Sequence, residues 1–200
     1  MTPPSAPALR FRRSELREHG RLSPGALALL DDCAQPAEFV ETLVARQFAD
    51  DAVHALALLL PHRQCVWWAC LSVRLIPDIG KRELEDAAVL AAEKWVQSQA
   101  PNEAEAAGRA AKKCDKGKAA AWAAQAAHWS GPSLAPRGQP EVPPSPFLAG
   151  VATRSALTLL GLDPAFGKPV ALAQWLPIGL ALMAGENGKE AQGQVKESLA

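Results

Sequence analysis

The chain has 200 residues, a formal net charge of +0, 48% hydrophobic residues and 21% charged residues, which is enough apolar sequence for one ordinary domain. A neutral chain has no field of one sign that would attract nucleic acid, so nucleic-acid binding is disfavoured. Tyrosine is absent while alanine and leucine recur throughout, which favours helices over strands. We therefore predict an all-α protein.

The first segment, residues 1–22, is rich in proline and arginine and lacks a sustained apolar period, which predicts a flexible arm. It also lacks an apolar run followed by a small-residue cleavage site, so we expect no secretory signal and a cytoplasmic location. The longest apolar stretch, Val170–Ala184, is interrupted by Pro177 and is shorter than the roughly 20 residues that span a bilayer. No membrane span is therefore expected.

Helix-start signals follow the arm. Ser23 and Pro24 form an N-cap with proline at the first helical position, and Pro36 begins a second helix in the same way. The acidic pair at 50–51 caps a third helix, which Pro61 ends. These short segments predict antiparallel helical hairpins.

The segment Pro61–Pro77 holds two tryptophans and two cysteines in one short helix. On a helical wheel its apolar side chains cover two opposite faces, and a narrow polar strip remains at Arg63 and Arg74, with Trp67 beside it. The guanidinium of Arg63, one turn away, can lie over the Trp67 indole. We predict that this is the central helix, enclosed by others, and that Trp67 is more exposed than Trp68.

Three further helices are predicted after the central one. The first ends near Gln99, the second begins at Pro101, and the third is Lys118–Trp129. The third helix is rich in alanine and carries Trp122 and Trp129 seven residues apart on one side. Aromatic side chains at helical spacing indicate packing in the core more than a platform for stacking a ligand.

The composition changes at residues 130–146, where repeated proline excludes helix and favours extended backbone. Long loops inside compact domains are usually functional or disordered. Ser145 and Pro146 repeat the helix-start signal and open a helix to Leu160. The tail 185–200 is polar and rich in glycine, which predicts disorder.

The predicted fold is a single-domain irregular bundle of about seven to nine helices, with antiparallel hairpins around a central apolar helix and one proline-rich crossover loop. The predicted boundaries are a flexible arm at 1–22, a helical domain at 23–184 that contains the loop 130–146, and a disordered polar tail at 185–200.

No catalytic, metal or cofactor motif is found. His62, Cys65 and Cys70 lie on one helix, but nothing supplies the remaining ligands of a metal site, and the cysteines are predicted to be free thiols. His128 lies near Ser130 in sequence, yet a histidine in a last helical turn is equally explained by contact with free carbonyl groups. We expect no metal, no cofactor and no enzymatic activity.

Three segments carry a resemblance: CVWWAC at 65–70, AAWAAQAAHWSGPSLAP at 120–136 and VPPSPFLAGVATRSALTLL at 142–160. Together they resemble a family of uncharacterised helical proteins of proteobacteria, a domain of unknown function that sometimes occurs near type VI secretion genes. The resemblance covers about residues 36–161 and implies a cytosolic accessory or adaptor role. This chain has Pro132 where the family pattern has a second glycine after Gly131, which puts the loop conformation in doubt.

We interpret the chain as a non-enzymatic protein-protein interaction or adaptor protein, with another protein, such as a secretion-system component, as its partner. Extended proline-rich backbone loses little conformational entropy on binding, which makes the loop a candidate contact surface. The predicted partner-binding residues lie on the polar strip and in this loop: Arg63, Trp67, Arg74, Trp129, Ser130, Gly131, Ser133, Leu134 and Pro136.

Two other classes stay open. One is a small-ligand-binding protein or an enzyme with a pocket near the Trp122/Trp129 helix, and its loose polar candidates are His128, Ser130, Arg154 and Glu93. The other is a structural subunit of a larger assembly, since a neutral helical surface does not reveal the oligomeric state.

Overall fold

The computed structural model describes residues 6–135 and 138–199, and this part of the chain is helical without strands. None of its helices combines the length and apolarity that crossing a membrane requires. The eleven α-helices of the described residues are α1 Arg13–His19, α2 Pro24–Leu29, α3 Pro36–Ala45, α4 Ala49–Leu59, α5 His62–Val73, α6 Glu83–Ser98, α7 Pro101–Lys113, α8 Ala119–His128, α9 Leu148–Leu160, α10 Leu176–Met183 and α11 Lys189–Leu199. Short 3-10 helices are Ile79–Lys81, Pro164–Phe166 and Leu172–Trp175.

The all-α prediction is confirmed. Nine of these helices, α2 to α10, lie between residues 23 and 184, which agrees with the upper end of the predicted range. The other two, α1 and α11, lie in the segments that were expected to be a flexible arm and a disordered tail.

Helix starts follow the sequence signals. Ser23 Oγ accepts a hydrogen bond from Ala26 N at 3.2 Å, and Pro24 holds the first position of α2. Pro36 and Pro101 hold the first positions of α3 and α7. Proline suits this position because the first amides of a helix have no partner within the helix.

Helix α5 lies at the centre of the fold and packs against α6, α8, α9, α10 and α11. Eight of its residues are buried, among them Trp68, whose Nε1 donates to Trp175 O at 2.9 Å. Trp67 is half-buried. Since burying a large apolar side chain stabilises the fold by roughly 1.5–3 kcal/mol, a helix of this kind needs neighbours on nearly every side. The prediction of an enclosed central helix is confirmed.

Small residues let the surrounding helices approach one another closely. Helix α8 buries seven alanines and packs against α6, α7 and α9. A Cβ at Gly150 of α9 would lie 2.2 Å from Ala57 O of α4, so this crossing requires glycine. Gly108 of α7 lies in the same way against the ring of His128, the last residue of α8.

The N-terminal segment differs from the expected flexible arm. Residues Arg13–His19 form α1, with Leu16 buried. Arg10 docks the residues before α1, because its amide donates to Leu59 O at 2.8 Å and its Nη2 donates to Leu58 O at 3.0 Å. The last carbonyl groups of a helix lack hydrogen-bond partners within the helix, and Arg10 supplies these partners at the end of α4. The order of this segment therefore comes from a contact distant in sequence.

The C-terminal segment differs from the expected disordered tail, because Lys189–Leu199 forms α11. Ala191 and Val195 are buried one turn apart, and Gln192 Nε2 donates to Leu71 O at 2.6 Å. The polar, glycine-rich composition gives little indication of this helix, because its buried apolar stripe consists of two residues only. Packing against α5 and α10 supplies the stability that the isolated segment lacks.

The proline-rich loop follows α8 as expected, and its described residues contain no helix. The next helix begins at Leu148, after the start that was expected at 145–146. Residues 145–148 form a turn instead, closed by a hydrogen bond from Leu148 N to Ser145 O at 3.0 Å. The carbonyl of Pro146 in this turn accepts from Arg10 Nη1 at 2.6 Å and lies 3.0 Å from His62 Nε2.

Candidate functional site

A groove with a volume of 880 Å³ lies along one side of α5. Its walls come from the N-terminal segment, from α5 and α6, and from the turn between α10 and α11. The lining residues are Ala6, Pro7, Ala8, Arg63, Gln64, Trp67, Val96, Gln97, Leu182, Gly185, Glu186 and Asn187. Two of the residues predicted to bind a partner, Arg63 and Trp67, thus lie together in this groove.

The positions of Arg63 and Trp67 are fixed by hydrogen bonds to backbone carbonyl groups. Trp67 Nε1 donates to Asn187 O at 2.9 Å, which holds the indole against the turn before α11. Arg63 Nε donates to Val96 O at 2.9 Å, near the C-terminal end of α6. The guanidinium therefore binds a carbonyl group near the end of α6. This contact replaces the expected stack of Arg63 over the Trp67 indole.

Two side-chain amides in the groove have no hydrogen-bond partner among the described residues. They belong to Gln64 on α5 and Gln97 on α6. Arg63 and Glu186 also line the groove, and neither forms an ion pair within the part of the chain that the structure describes. The groove thus offers free amide groups, one positive charge and one negative charge beside a half-buried indole.

Arg74, the third residue of the predicted strip, is occupied by the protein itself. Its Nε and Nη2 donate to the two carboxylate oxygens of Glu93 at 2.8 and 2.7 Å, and its Nη1 donates to Asp86. The hydrogen bonds to Glu93, followed by those to Asp86, raise the pKa of Arg74 above its ordinary value although burial opposes the shift. We conclude that Arg74 fastens α5 to α6 and lies outside the groove.

The loop residues next to α8 stabilise the helix end. The Trp129 and Trp122 rings meet edge to face, with centroids 6.2 Å apart. Ser130 Oγ donates to Ala126 O at 2.7 Å, in the last turn of α8. Gly131 is buried against α7, where a Cβ would stand 2.7 Å from the Ala104 Cβ. These residues therefore have structural partners already.

Ser133 closes the base of the proline-rich loop. Its Oγ accepts hydrogen bonds from Ala135 N and Val142 N, both at 3.0 Å, and Leu134 N donates to Val142 O at 2.8 Å. Leu134 is half-buried, whereas Val142 is 53% exposed. Pro136, also a predicted contact residue, lies outside the described residues.

The loose polar candidates for an enzyme have separate partners. His128 Nδ1–H donates to Ala104 O at 3.2 Å, Ser130 donates to a carbonyl of α8, and Glu93 pairs with Arg74. Arg154 is different, because it lines a cavity that Trp122 also lines. In sequence, the one signal for this residue is a lone charge in the otherwise apolar or uncharged helix LAGVATRSALTLL.

The cysteines of α5 are buried thiols. Cys65 Sγ lies 3.0 Å from Ala57 O, to which the thiol donates. Burial raises the pKa of Cys65 to about 12 and also raises that of Cys70. A metal ligand or nucleophile must be a thiolate, so both side chains are suited to packing in the core.

A family model matches residues 39–183, from α3 to the last residue of α10. The chain belongs to the family of unknown function DUF6931. No curated protein and no solved structure matches it. The DUF6931 match includes the groove residues on α5 and α6, and it excludes the walls formed by residues 6–8 and 185–187. The resemblance to an uncharacterised helical family is confirmed to this extent.

Proposed function

We propose that the protein is a non-enzymatic interaction protein that binds an extended peptide segment of a partner protein in the groove beside Trp67. The observation that supports this proposal most strongly is the presence of two unpaired carboxamides, Gln64 and Gln97, at a half-buried indole. The alternative of an enzyme finds less support, because His128, Ser130 and Glu93 each have a separate partner within the fold.

A carboxamide matches an extended peptide, because it has one carbonyl acceptor and an NH2 donor, as a backbone peptide unit has one acceptor and one donor. Gln64 and Gln97 can each bind one peptide unit of the partner. Trp67, with the aliphatic Leu182 and Val96 nearby in the groove, supplies an apolar surface for a side chain of that peptide. Aromatic anchors surrounded by polar groups are typical of binding hot spots.

The charges of the groove define the partner segment further. Arg63 keeps Nη1 and Nη2 available, and Glu186 lines the groove without an ion pair among the described residues. A peptide with an acidic side chain toward Arg63 and a basic one toward Glu186 complements both charges. Such complementarity sets the direction in which the peptide binds more than it raises the affinity.

The experiment that tests the proposal is a peptide selection. A random peptide library displayed on phage is selected against the protein, and the affinity of the selected peptides is measured by fluorescence anisotropy. The variant Gln64→Ala/Gln97→Ala should bind them about 10-fold more weakly, because two hydrogen bonds are lost. Gln194→Ala is the matched control, since this glutamine is exposed on α11 and outside the groove.

A selection that yields no peptide, or peptides that bind the double variant as tightly as the wild type, would contradict the proposed groove. Helical circular dichroism of each variant separates lost binding from lost folding.

The proline-rich loop is a second candidate contact surface. Its residues 139–143 are exposed, and the hydrogen bonds of Ser133 keep its two ends together. The variant Pro140→Ala/Pro143→Ala makes the extended backbone more flexible and leaves Ser133 in place. If the selected peptides bind this variant normally, the groove alone carries the interaction.

The cellular part of the proposal rests on the sequence resemblance. It assigns the protein a cytoplasmic accessory or adaptor role, with a component of a secretion system as partner. Affinity purification from the native cell, compared between the wild type and Gln64→Ala/Gln97→Ala, tests it: a secretion component that is captured equally by both proteins would contradict binding through the groove.

A further inference from the structure

A second cleft has a volume of 560 Å³ and shares no lining residue with the groove. Three cationic side chains line it, Arg21, Lys116 and Arg154, together with the indole of Trp122. No carboxylate of the described residues lines the cleft. This is a concentration of one charge sign in a chain with a formal net charge of +0. The volume lies within the roughly 300–1,000 Å³ of ordinary small-molecule pockets.

Arg154 is unusual because it is 7% exposed and has no carboxylate partner among the described residues. Its Nη1 donates to His19 O at 2.7 Å and to Gly20 O at 3.1 Å, near the end of α1. Nε and Nη2 are without a partner in the described part of the chain, yet they are not among its fully buried unpaired atoms. These two donors therefore remain accessible. Buried charges in proteins are normally paired.

Burial, and then the charge of Arg21, lower the pKa of Arg154 to about 10. The guanidinium is still protonated at neutral pH. Arg21 has a left-handed backbone with φ 53°, uncommon for a residue with a side chain, and its carbonyl accepts from His54 Nδ1 at 3.2 Å. Burial lowers the pKa of His54, which lines the cleft as a neutral ring.

The acidic residues closest in sequence to His54 on α4 are occupied elsewhere. Asp51 Oδ1 and Oδ2 accept from Ser23 N at 2.6 Å and from Ser23 Oγ at 2.8 Å. Asp50 Oδ1 accepts from Ala173 N at 3.1 Å. Neither carboxylate forms an ion pair with a cation of the cleft. The positive charges of the cleft therefore have no fixed counter-ion within the described residues.

We infer that this cleft binds a small molecule that carries a phosphate monoester on a planar or apolar body. The phosphate fits the three cations, because the forked donors of arginine match phosphate oxygens and Arg154 has two donors free. The body fits against Trp122, which lines the same cleft and whose Nε1 donates to Lys116 O at 2.8 Å. Ser155 and Thr158 donate to carbonyls of their own helix and leave oxygen lone pairs for a donor on the ligand.

Phenyl phosphate is the probe that tests this inference, with inorganic phosphate and phenol as its two separate halves. Binding is measured by isothermal titration calorimetry in about 150 mM NaCl, because this salt concentration screens nonspecific attraction to surface cations. We expect saturable binding of phenyl phosphate, weaker binding of inorganic phosphate and no binding of phenol.

Variants identify the cleft as the site. Arg21→Gln and Lys116→Gln remove exposed cations and should each weaken phenyl phosphate binding about 10-fold. Lys168→Gln removes one positive charge from an exposed residue outside the cleft and should leave the affinity unchanged. A variant of Arg154 would not identify the site, because its loss also removes the hydrogen bonds to His19 O and Gly20 O.

Absence of saturable binding at about 10 mM phenyl phosphate would overturn the inference, because the binding free energy would then be weaker than about 3 kcal/mol. It would equally be overturned if Arg21→Gln and Lys116→Gln bound the probe as tightly as Lys168→Gln. Neither result bears on the peptide groove, since the two sites share no residue.

Discussion

The indole of Trp68 lies against Gly179 so closely that a Cβ at this glycine would stand 2.7 Å from Cζ2 and 2.8 Å from Cη2. The same indole donates a hydrogen bond to Trp175 O, just before α10 begins. Two contacts of one side chain thus set the position of α10 on the central helix. Leu182, at the far end of α10, in turn lines the groove beside Trp67.

The first prediction concerns this contact. Gly179→Ala should lower the free energy of unfolding by about 1–3 kcal/mol, because the added methyl group has no space. Alanine has a helix propensity better than that of glycine by about 1 kcal/mol, which by itself would stabilise α10. A loss of stability would therefore come from the clash with Trp68. Urea unfolding followed by circular dichroism measures the difference.

Gly193→Ala in α11 is the matched control, because a Cβ at this position meets nothing within 4 Å. It should raise the free energy of unfolding by roughly 0.5–1 kcal/mol. If Gly179→Ala were stabilising by a similar amount, the close contact with Trp68 would be disproved.

The second prediction is a loss of stability in mild acid. Burial lowers the pKa of His54, His62 and His128 from 6.5, more than their hydrogen bonds to carbonyl groups raise it. The folded protein therefore favours the neutral rings. The stability that the neutral rings give to the fold is fully present above pH 6.5 and is lost as the pH falls from there through the lowered pKa values. The loss for each ring is at most about 1.4 kcal/mol per pH unit.

Denaturation in urea between pH 7.5 and 5 tests this sign. His128→Gln should show a shallower dependence than the wild type, because one buried titrating ring is removed. Stability that stays constant or rises toward pH 5 would contradict the burial of these rings.

The third prediction concerns the ion pair between Arg82 and Asp163. Asp163 is only 7% exposed. Arg82 Nη1 and Nη2 donate to the carboxylate at 2.8 and 3.0 Å. Burial acts to raise the pKa of Asp163, but Arg82 and the amide of Ala165 together lower it below 3.8. Asp163→Asn should lower the free energy of unfolding by about 1–3 kcal/mol at neutral pH.

Since the folded pKa is the lower one, the ion pair stabilises the fold above about pH 3.8, and its contribution is lost as the pH falls through the folded value. The control is Asp78→Asn, which removes an exposed pair with Lys81 and should change stability by less than about 0.5 kcal/mol. Equal effects of the two substitutions would show that burial adds nothing to the Arg82 pair.

The fourth prediction is that Arg10 holds the N-terminal segment on the fold. Arg10→Gln removes the donors to Leu58 O and Pro146 O. Amide hydrogen exchange should then accelerate in residues 6–12, while the helical circular dichroism stays unchanged. Arg12→Gln, which removes an exposed pair with Glu15, is the control. Unchanged exchange in Arg10→Gln would show that the segment docks by other contacts.

The central helix could be predicted from sequence because its signal is local. Apolar residues around most of a helix require cover, and the wheel separates Trp67 from Trp68. The structure places Trp68 at 0% exposure and leaves Trp67 half-buried, as expected. Helix starts at Pro24 and Pro36 were equally predictable, since a proline at the first position acts within one turn.

The docked arm and the cationic cleft could not be predicted, because each depends on residues far apart in the chain. Arg10 binds the carbonyls of Leu58 in α4 and of Pro146 in the loop before α9, at sequence separations of 48 and 136 residues. Arg21, Lys116 and Arg154 come from three separate segments, and no pattern along the chain indicates that they meet. The order of the C-terminal segment likewise depends on its packing against α5.

The most direct test of the peptide groove is the NMR signal of the Trp67 indole N–H. Six tryptophans give six candidate signals, and Trp67→Phe assigns this one by its loss. On titration with a selected peptide, the Trp67 signal should shift, while the signal of Trp68, buried against Trp175 O, stays in place. A peptide that moves the Trp122 or Trp129 signal and leaves Trp67 unchanged would contradict the account.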